Sequence, residues 1–235
     1  MSLTDVITLD GPAGSGKSTV AKAISESLGR RQIDSGAMYR TITYLAMQYR
    51  ESLNAGDSTI SEVIDDEKFF DYLEKNRPKI EFINNHQRIT IHNDDMENHI
   101  RKPEITEQIK HIADNVRIRK QVNSWIQDLA ANYSVIADGR DMGTVVFPDA
   151  KYKFYLEASP EIRAQRRFNE FKSKHPGITI EEVLDQIQKR DAQDLSRKFG
   201  GLKPANNAII VDTTTQEIKA VVQFIITNIR NIDSN

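Results

Sequence analysis

Residues 11–18 read GPAGSGKS, a G-x-x-x-x-G-K-[ST] pattern. The glycines let successive backbone N–H groups turn toward one anion. Lys17 reaches the outer phosphates of a nucleoside triphosphate, and the Ser18 hydroxyl suits Mg²⁺. A chance glycine-rich turn is the bland alternative. The flanks argue against it: an apolar run, Val6 to Leu9, precedes the loop, and a helical pattern from Ser18 to Leu28 follows. A helix N-terminus under the loop adds its dipole. The motif predicts triphosphate and Mg²⁺ binding and leaves open what the nucleotide is used for.

A second constellation lies in IADGRDMGTVVFPDA, residues 136–150, where an apolar run stops at Asp138, Gly139, Arg140 and Asp141. Buried charges need partners, so this cluster has something to hold. Two readings stand for Asp138: a Walker-B-like acid near Mg²⁺, or a turn-capping Asp. Asp10, ahead of the loop, reads as a cap for it. Arg163, Arg166 and Arg167 fall at i, i+3 and i+4 of one predicted helix and share a face. Arg190, Asp194 and Arg197 fall at i, i+4 and i+7 of the next. Either set alone also fits a solvated, salt-bridged helix surface. Together with Arg40 and Arg140 they suit a small-molecule kinase, which must bring two polyanions together against their repulsion. There is no NKxD to read guanine, and no downstream signature of a motor ATPase.

The elements that position these residues follow from periodicity. Strands are expected at Val6–Leu9, VIAD, YKFYL and AIIVDTT, with helices over Ala37–Arg50, Pro103–Ala131, Pro160–Lys174, Ile180–Arg197 and Gln216–Ile229. Trp125 reads as core. Residues 51–65 are polar and read as a linker or irregular segment. KIEFI and RITIH alternate around NNHQ and predict a β-hairpin. Strands alternating with helices imply a parallel sheet covered on both faces, with ligands at the carboxyl ends of its strands. The expected fold is thus α/β. The hairpin marks a small inserted α+β subdomain at 66–100, within a core of 1–65 and 101–235.

Composition narrows the partners. The chain has 235 residues and a formal charge of −2, so a general nucleic-acid binder is not expected. No cysteine is present, which excludes disulfide and thiolate chemistry. The histidines show no metal spacing. The N-terminus lacks a basic, apolar export signal and no apolar window approaches a membrane span; a cytoplasmic protein without a membrane partner is expected.

The motifs DGPAGSGKST, IDSGAMYR, ADGRDMGTVVFPDA, ASPEIRAQRR and RDAQDLSR, in this order between Val6 and Thr214, closely resemble the bacterial cytidylate kinases. The resemblance implies a P-loop nucleoside monophosphate kinase fold: a central parallel sheet flanked by helices, an insert over the monophosphate and a helical lid at about 160–175. It implies transfer of the γ-phosphoryl group of ATP to CMP or dCMP, with Mg²⁺ as cofactor of ATP, in a monomer. ATP would then be held by Gly11, Pro12, Ala13, Gly14, Ser15, Gly16, Lys17, Ser18 and Thr19 and by the lid arginines Arg163, Arg166 and Arg167, with Ser18 and Asp138 at the metal. Lys17, Arg140, Arg163 and Arg166 would carry catalysis. The acceptor would lie against Ser35, Tyr39, Arg40, Arg119, Arg140, Asp141, Arg190, Asp194 and Arg197. Arg117 competes with Arg119 for the base-reading role. Two features depart from the family pattern: Glu97 stands where some relatives place a serine near the base, and a glycine pair interrupts KFGGLKP.

Acceptor choice has a physical rationale within that resemblance. A carboxylate only accepts, so Asp141 takes a hydrogen from the exocyclic amino group of cytosine, while Arg119 donates to its N3 and O2 side. Uracil would set O4 against that carboxylate, wasting a charged hydrogen bond at about 1.5–3 kcal/mol. CMP is therefore expected over UMP by at least ~10-fold. The three lid arginines are expected to swing in only with ATP bound.

Overall fold

The computed structural model describes residues 3–53, 58–172 and 177–234. The chain divides into two compact units, one of residues 1–33 and 127–235, the other of residues 34–126.

The first unit opens with β1 (Ile7–Asp10), the phosphate loop, α1 (Lys17–Leu28) and β2 (Arg31–Asp34). All four β1 residues are buried, as a central parallel strand covered on both faces requires. Gly29 ends α1 in the left-handed conformation, φ 65°, and its N–H donates to Ser25 O, which satisfies a carbonyl the helix end would leave open.

The second unit starts with α2 (Ser35–Ser52), α3 (Ile60–Asp65) and α4 (Glu67–Lys75). The expectation of an irregular segment at 51–65 is corrected at α3. Thr59 accepts from Glu62 N, and the Glu62 side chain accepts from Thr59 N. This capping box starts a helix whose Ile60, Val63 and Ile64 are buried. Residues 54–57 of that segment lie outside the described residues. The predicted hairpin is present as β3 (Lys79–Ile83) and β4 (His86–Ile91), antiparallel with Ile80 opposite Ile89. Asn84 and Asn85 both have positive φ, 50° and 68°, the geometry that suits a two-residue turn to strand twist. The short β5 (Asp94–Asp95) pairs with β4, and α5 (Glu97–Ile100), α6 (Pro103–Asp114) and α7 (Val116–Asn132) follow. The helical run from Pro103 breaks at Asn115, whose Oδ1 accepts from Ile118 N. Trp125 is buried.

The chain returns to the first unit with β6 (Val135–Gly139), a π-helical turn (Met142–Val146), β7 (Tyr152–Glu157), α8 (Pro160–Phe171), α9 (Ile180–Ser196), β8 (Ile209–Asp212) and α10 (Ile218–Ser234). Its strand order is β2-β6-β1-β7-β8. β1 is parallel to β6 and β7, and β7 is parallel to β8. The core joins Ile7, Leu9, Ile136, Phe154 and Val211 of the strands to Val20 and Ile24 of α1 and Val221, Ile225 and Ile229 of α10. The α10 residues repeat at helical spacing, one apolar stripe toward the sheet. Among the described residues no helix is long and apolar enough to cross a membrane. The predicted extension of α8 to Lys174 falls partly outside the described residues.

Candidate active site

The phosphate loop joins β1 to α1. Lys17 is buried and donates to Pro12 O at 2.7 Å and Ser15 Oγ at 3.3 Å. Burial, then the Arg140 charge, pushes its amine well below its ordinary value, against the pull of Asp138 and Asp10. A polyphosphate here would meet a lysine that an anionic partner makes easier to charge. Ser18 Oγ donates to Asp138 Oδ2 at 2.5 Å. A hydroxyl and a carboxylate side by side are hard oxygen donors, the chemistry Mg²⁺ takes with triphosphates. Among the described residues no cluster of three His, Cys, Asp or Glu could hold a different metal.

Arg140, just beyond β6, donates through Nε to Asp194 Oδ2 at 2.9 Å, and Arg197 reaches Asp194 Oδ1 at 3.0 Å. Burial pushes the Asp194 carboxyl up, but Arg140, Arg190 and Arg197 together hold it below the usual carboxylate range. The α9 turn thus brings together four of the residues singled out in the sequence. The glycine pair at 200–201 lets the chain fold back, so that Leu202 N donates to Asp194 O at 2.8 Å. Asp141, the next residue after Arg140, is buried.

The three arginines of α8 do not behave alike. Arg163 is 4% exposed. It donates to Ala13 O of the phosphate loop at 3.1 Å and Ala158 O at 2.9 Å, and pairs with Asp191 at 2.7 Å. Gly14 (φ 78°) accepts this approach, because a Cβ there would lie 3.1 Å from Arg163 Cβ. The first turn of α8, capped by Ser159, sets Arg163 against the loop. Arg166 reaches Thr213 Oγ1 at 3.1 Å. Arg167 lies 3.8 Å from Glu170.

In the unit of residues 34–126, Asp34 caps α2 by accepting from Ala37 N. Gln87 of β4 pairs with the Asp34 backbone through both its amide atoms, at 3.0 and 3.3 Å. Ser35 is thereby fixed as the first residue of α2 and is buried. Arg40 donates to Thr106 Oγ1 at 2.8 Å. Arg119 is 2% exposed, lies 5.2 Å from the centre of the Tyr39 ring and donates to Ala113 O at 3.0 Å. Arg117 is exposed, held by Glu67 at 2.5 Å and lying over the Phe70 ring. The structure therefore separates the two competitors: Arg119 is with Tyr39, Arg117 is on the surface. Glu97 pairs with Arg101 at 3.0 Å. Both line a cavity of about 320 Å³ with Asp34, Ala37, Gln87 and Arg88.

The sequence profile described as "Cytidylate kinase" matches residues 7–231. The chain belongs to the cytidylate kinase family. Curated cytidylate kinases match nearly the whole of its length. That of Clostridium tetani is 38% identical over 94% of this chain and 91% of its own. That of Caldanaerobacter subterraneus is 37% identical over 98% and 96%. That of Clostridioides difficile is 37% identical over 95% and 97%. The chain is a kinase, a nucleotide-binding transferase on a P-loop fold.

Three residues of this kinase make contacts that the sequence did not show, Asp10 among them although it read as a cap for the loop. Thr213 Oγ1 lies 3.0 Å from both Ser15 O and Glu157 O, linking the end of β8 to the phosphate loop. Asp191 anchors Arg163. Asp10 accepts from Met142 N and Gly143 N at 2.8 and 2.7 Å. Each is a polar residue at the carboxyl end of an element of the parallel sheet or on α9. Only that placement signals them, because their partners are more than 25 residues away in sequence.

Proposed function

We propose that the chain transfers the γ-phosphoryl group of ATP to CMP or dCMP, giving ADP and CDP or dCDP. Family membership supports the reaction class. The observation that carries the reading is the arginine-rich group Arg140–Asp194–Arg197 in the same unit as an intact phosphate loop. A bare nucleotide switch has no use for it. A second polyanion does.

Residues 11–19 and Lys17 would hold the triphosphate, with Arg163, Arg166 and Arg167 neutralising charge on the group in transfer. Ser18 and Asp138 would hold Mg²⁺, which supplies charge neutralisation across the β- and γ-phosphates. Arg40, Arg140 and Arg197 would orient the acceptor phosphate, and Arg190, Asp194 and Ser35 its sugar side. Tyr39 and Arg119 would meet the base, and Asp141 its exocyclic amino group. Little proton transfer is needed in a loose transition state, so alignment and charge stabilisation carry the rate. Residues 66–100 would act as the monophosphate-binding insert and 160–175 as the lid. A cytoplasmic monomer without nucleic-acid or membrane partners fits this metabolic role.

ADP release from Mg²⁺ and ATP, followed with CMP, dCMP, UMP, AMP and GMP as acceptors, tests the reading. Fast turnover with CMP and dCMP and much slower turnover with UMP is expected. Equal rates with UMP would remove Asp141 from base reading. No turnover with any acceptor, despite ATP binding, would leave a regulatory ATP-binding module.

A further inference from the structure

We propose that Asp10 is a positioning residue for the acceptor side, holding the Arg140–Asp141 turn in fixed register with the start of the phosphate loop. The inference rests on the reading of Arg140 and Asp141 as acceptor-binding residues.

Asp10 is the last residue of β1, and the loop begins at the next position. Its side chain is 2% exposed. Burying a carboxylate is costly unless its oxygens are hydrogen-bonded. Both are: Oδ1 accepts from Met142 N at 2.8 Å and Oδ2 from Gly143 N at 2.7 Å, across 132 and 133 positions of sequence. Burial raises its carboxyl to about 6, and these two amide bonds oppose the rise.

The two amides are the first of the turn Met142–Val146, donors that a helical turn leaves without internal partners. Asp141 occupies the capping position, and its side chain makes no capping bond to the turn. Asp10 caps the turn instead. The Asp141 carbonyl is fixed from the other direction, accepting from Val145 N at 2.9 Å and Val146 N at 3.2 Å. The backbone around Asp141 is thus pinned on both sides. A two-point contact also resists rotation in a way a single bond would not.

Gly143 makes the contact possible. A Cβ there would lie 2.9 Å from Thr8 Oγ1 and 3.3 Å from Asp10 Oδ2. One residue therefore ties the loop that takes the donor to the turn that carries two acceptor residues. Displacements of about 1 Å at such groups cost up to ~100-fold in rate.

Two substitutions approach the contact from opposite sides. D10N keeps the shape but turns one acceptor into a donor facing an amide N–H. G143A keeps the charge and crowds the same bond. With concentrations normalised to folded protein, each is expected to raise the KM for CMP about tenfold, to lower the CMP-over-UMP ratio, and to leave the KM for ATP nearly unchanged under G143A. Hydrogen exchange at the Met142 and Gly143 amides should accelerate in D10N. If D10N does not fold, G143A is read by the same criteria. Normal wild-type turnover of CMP, with the CMP KM and base preference unshifted in the folded variants, would overturn the Asp10 assignment alone. A thermal shift with both KM values changed equally would do the same, since it marks a merely structural role. Wild-type protein with no preference for CMP would overturn the acceptor reading of Asp141 instead.

Discussion

Replacing Arg163 separates a structural tie from a mobile catalytic arm. The side chain is 4% exposed and its Asp191 partner 17%, with 2.7 Å between them. Removing one partner of a buried ion pair costs about 3–5 kcal/mol, because the other charge is left uncompensated. R163A also strips donors from Ala158 O and Ala13 O. The residual exposure of Asp191 lowers the ion-pair share, so the expected loss is about 3 to 4 kcal/mol. D191N retains an acceptor oxygen, and Arg163 keeps its two carbonyl partners, so its loss should be about 1–2 kcal/mol. Urea denaturation of the two single variants and the double variant gives the coupling, expected at about 1–3 kcal/mol. The same proteins should show a raised KM for ATP, since Ala13 loses its tether to α8. A urea midpoint for R163A equal to wild type, with no coupling to Asp191, would exclude the structural tie. Arg163 would then be a mobile group that only visits the loop.

Three further outcomes test other parts of the site. D141N should reduce the preference for CMP over UMP about tenfold, because an amide can donate to the uracil O4; steady-state kinetics on both acceptors checks it, and an unchanged ratio counts against Asp141. R119A should raise the KM for CMP at least about tenfold while R117A leaves it unchanged; the reverse pattern would restore Arg117 as the base reader. The Asp10 carboxyl, raised from 3.8 to about 6 chiefly by burial, makes a pH prediction. A raised acid favours the folded state while protonated, so its contribution is full below pH 4 and is lost as pH passes 6. The stability of wild type relative to D10N should therefore fall by about 2 kcal/mol between pH 4 and pH 7. Urea titrations of both proteins at each pH measure it, and a flat difference would show that Asp10 ionises freely.

Features that depend on local order can be read from the chain alone. GPAGSGKS between an apolar run and a helical pattern is sufficient for a phosphate loop, because the loop needs only adjacent backbone amides, one lysine and one hydroxyl. The hairpin was legible for the same reason, from alternation around two asparagines that tolerate positive φ. The family was legible because its motifs keep their order along the chain. The α3 helix was missed although its T-x-x-E cap was in plain view at Thr59; the polar surroundings outweighed a short apolar triplet. Contacts between residues far apart in sequence depend instead on how the elements pack. Spacing could put Arg117 and Arg119 only two positions apart; burial against Tyr39 distinguished them. It could set Arg163, Arg166 and Arg167 on one helix, but the approach of α8 to Gly14 made Arg163 a buried partner of the loop. Asp10 read as a cap for the loop beside it, and the parallel pairing of β1 with β6 sent its carboxylate to Met142 and Gly143 instead. A buried charge takes the donors that the sheet brings within hydrogen-bond reach, and the pairing of strands, not the order of residues, sets which donors those are.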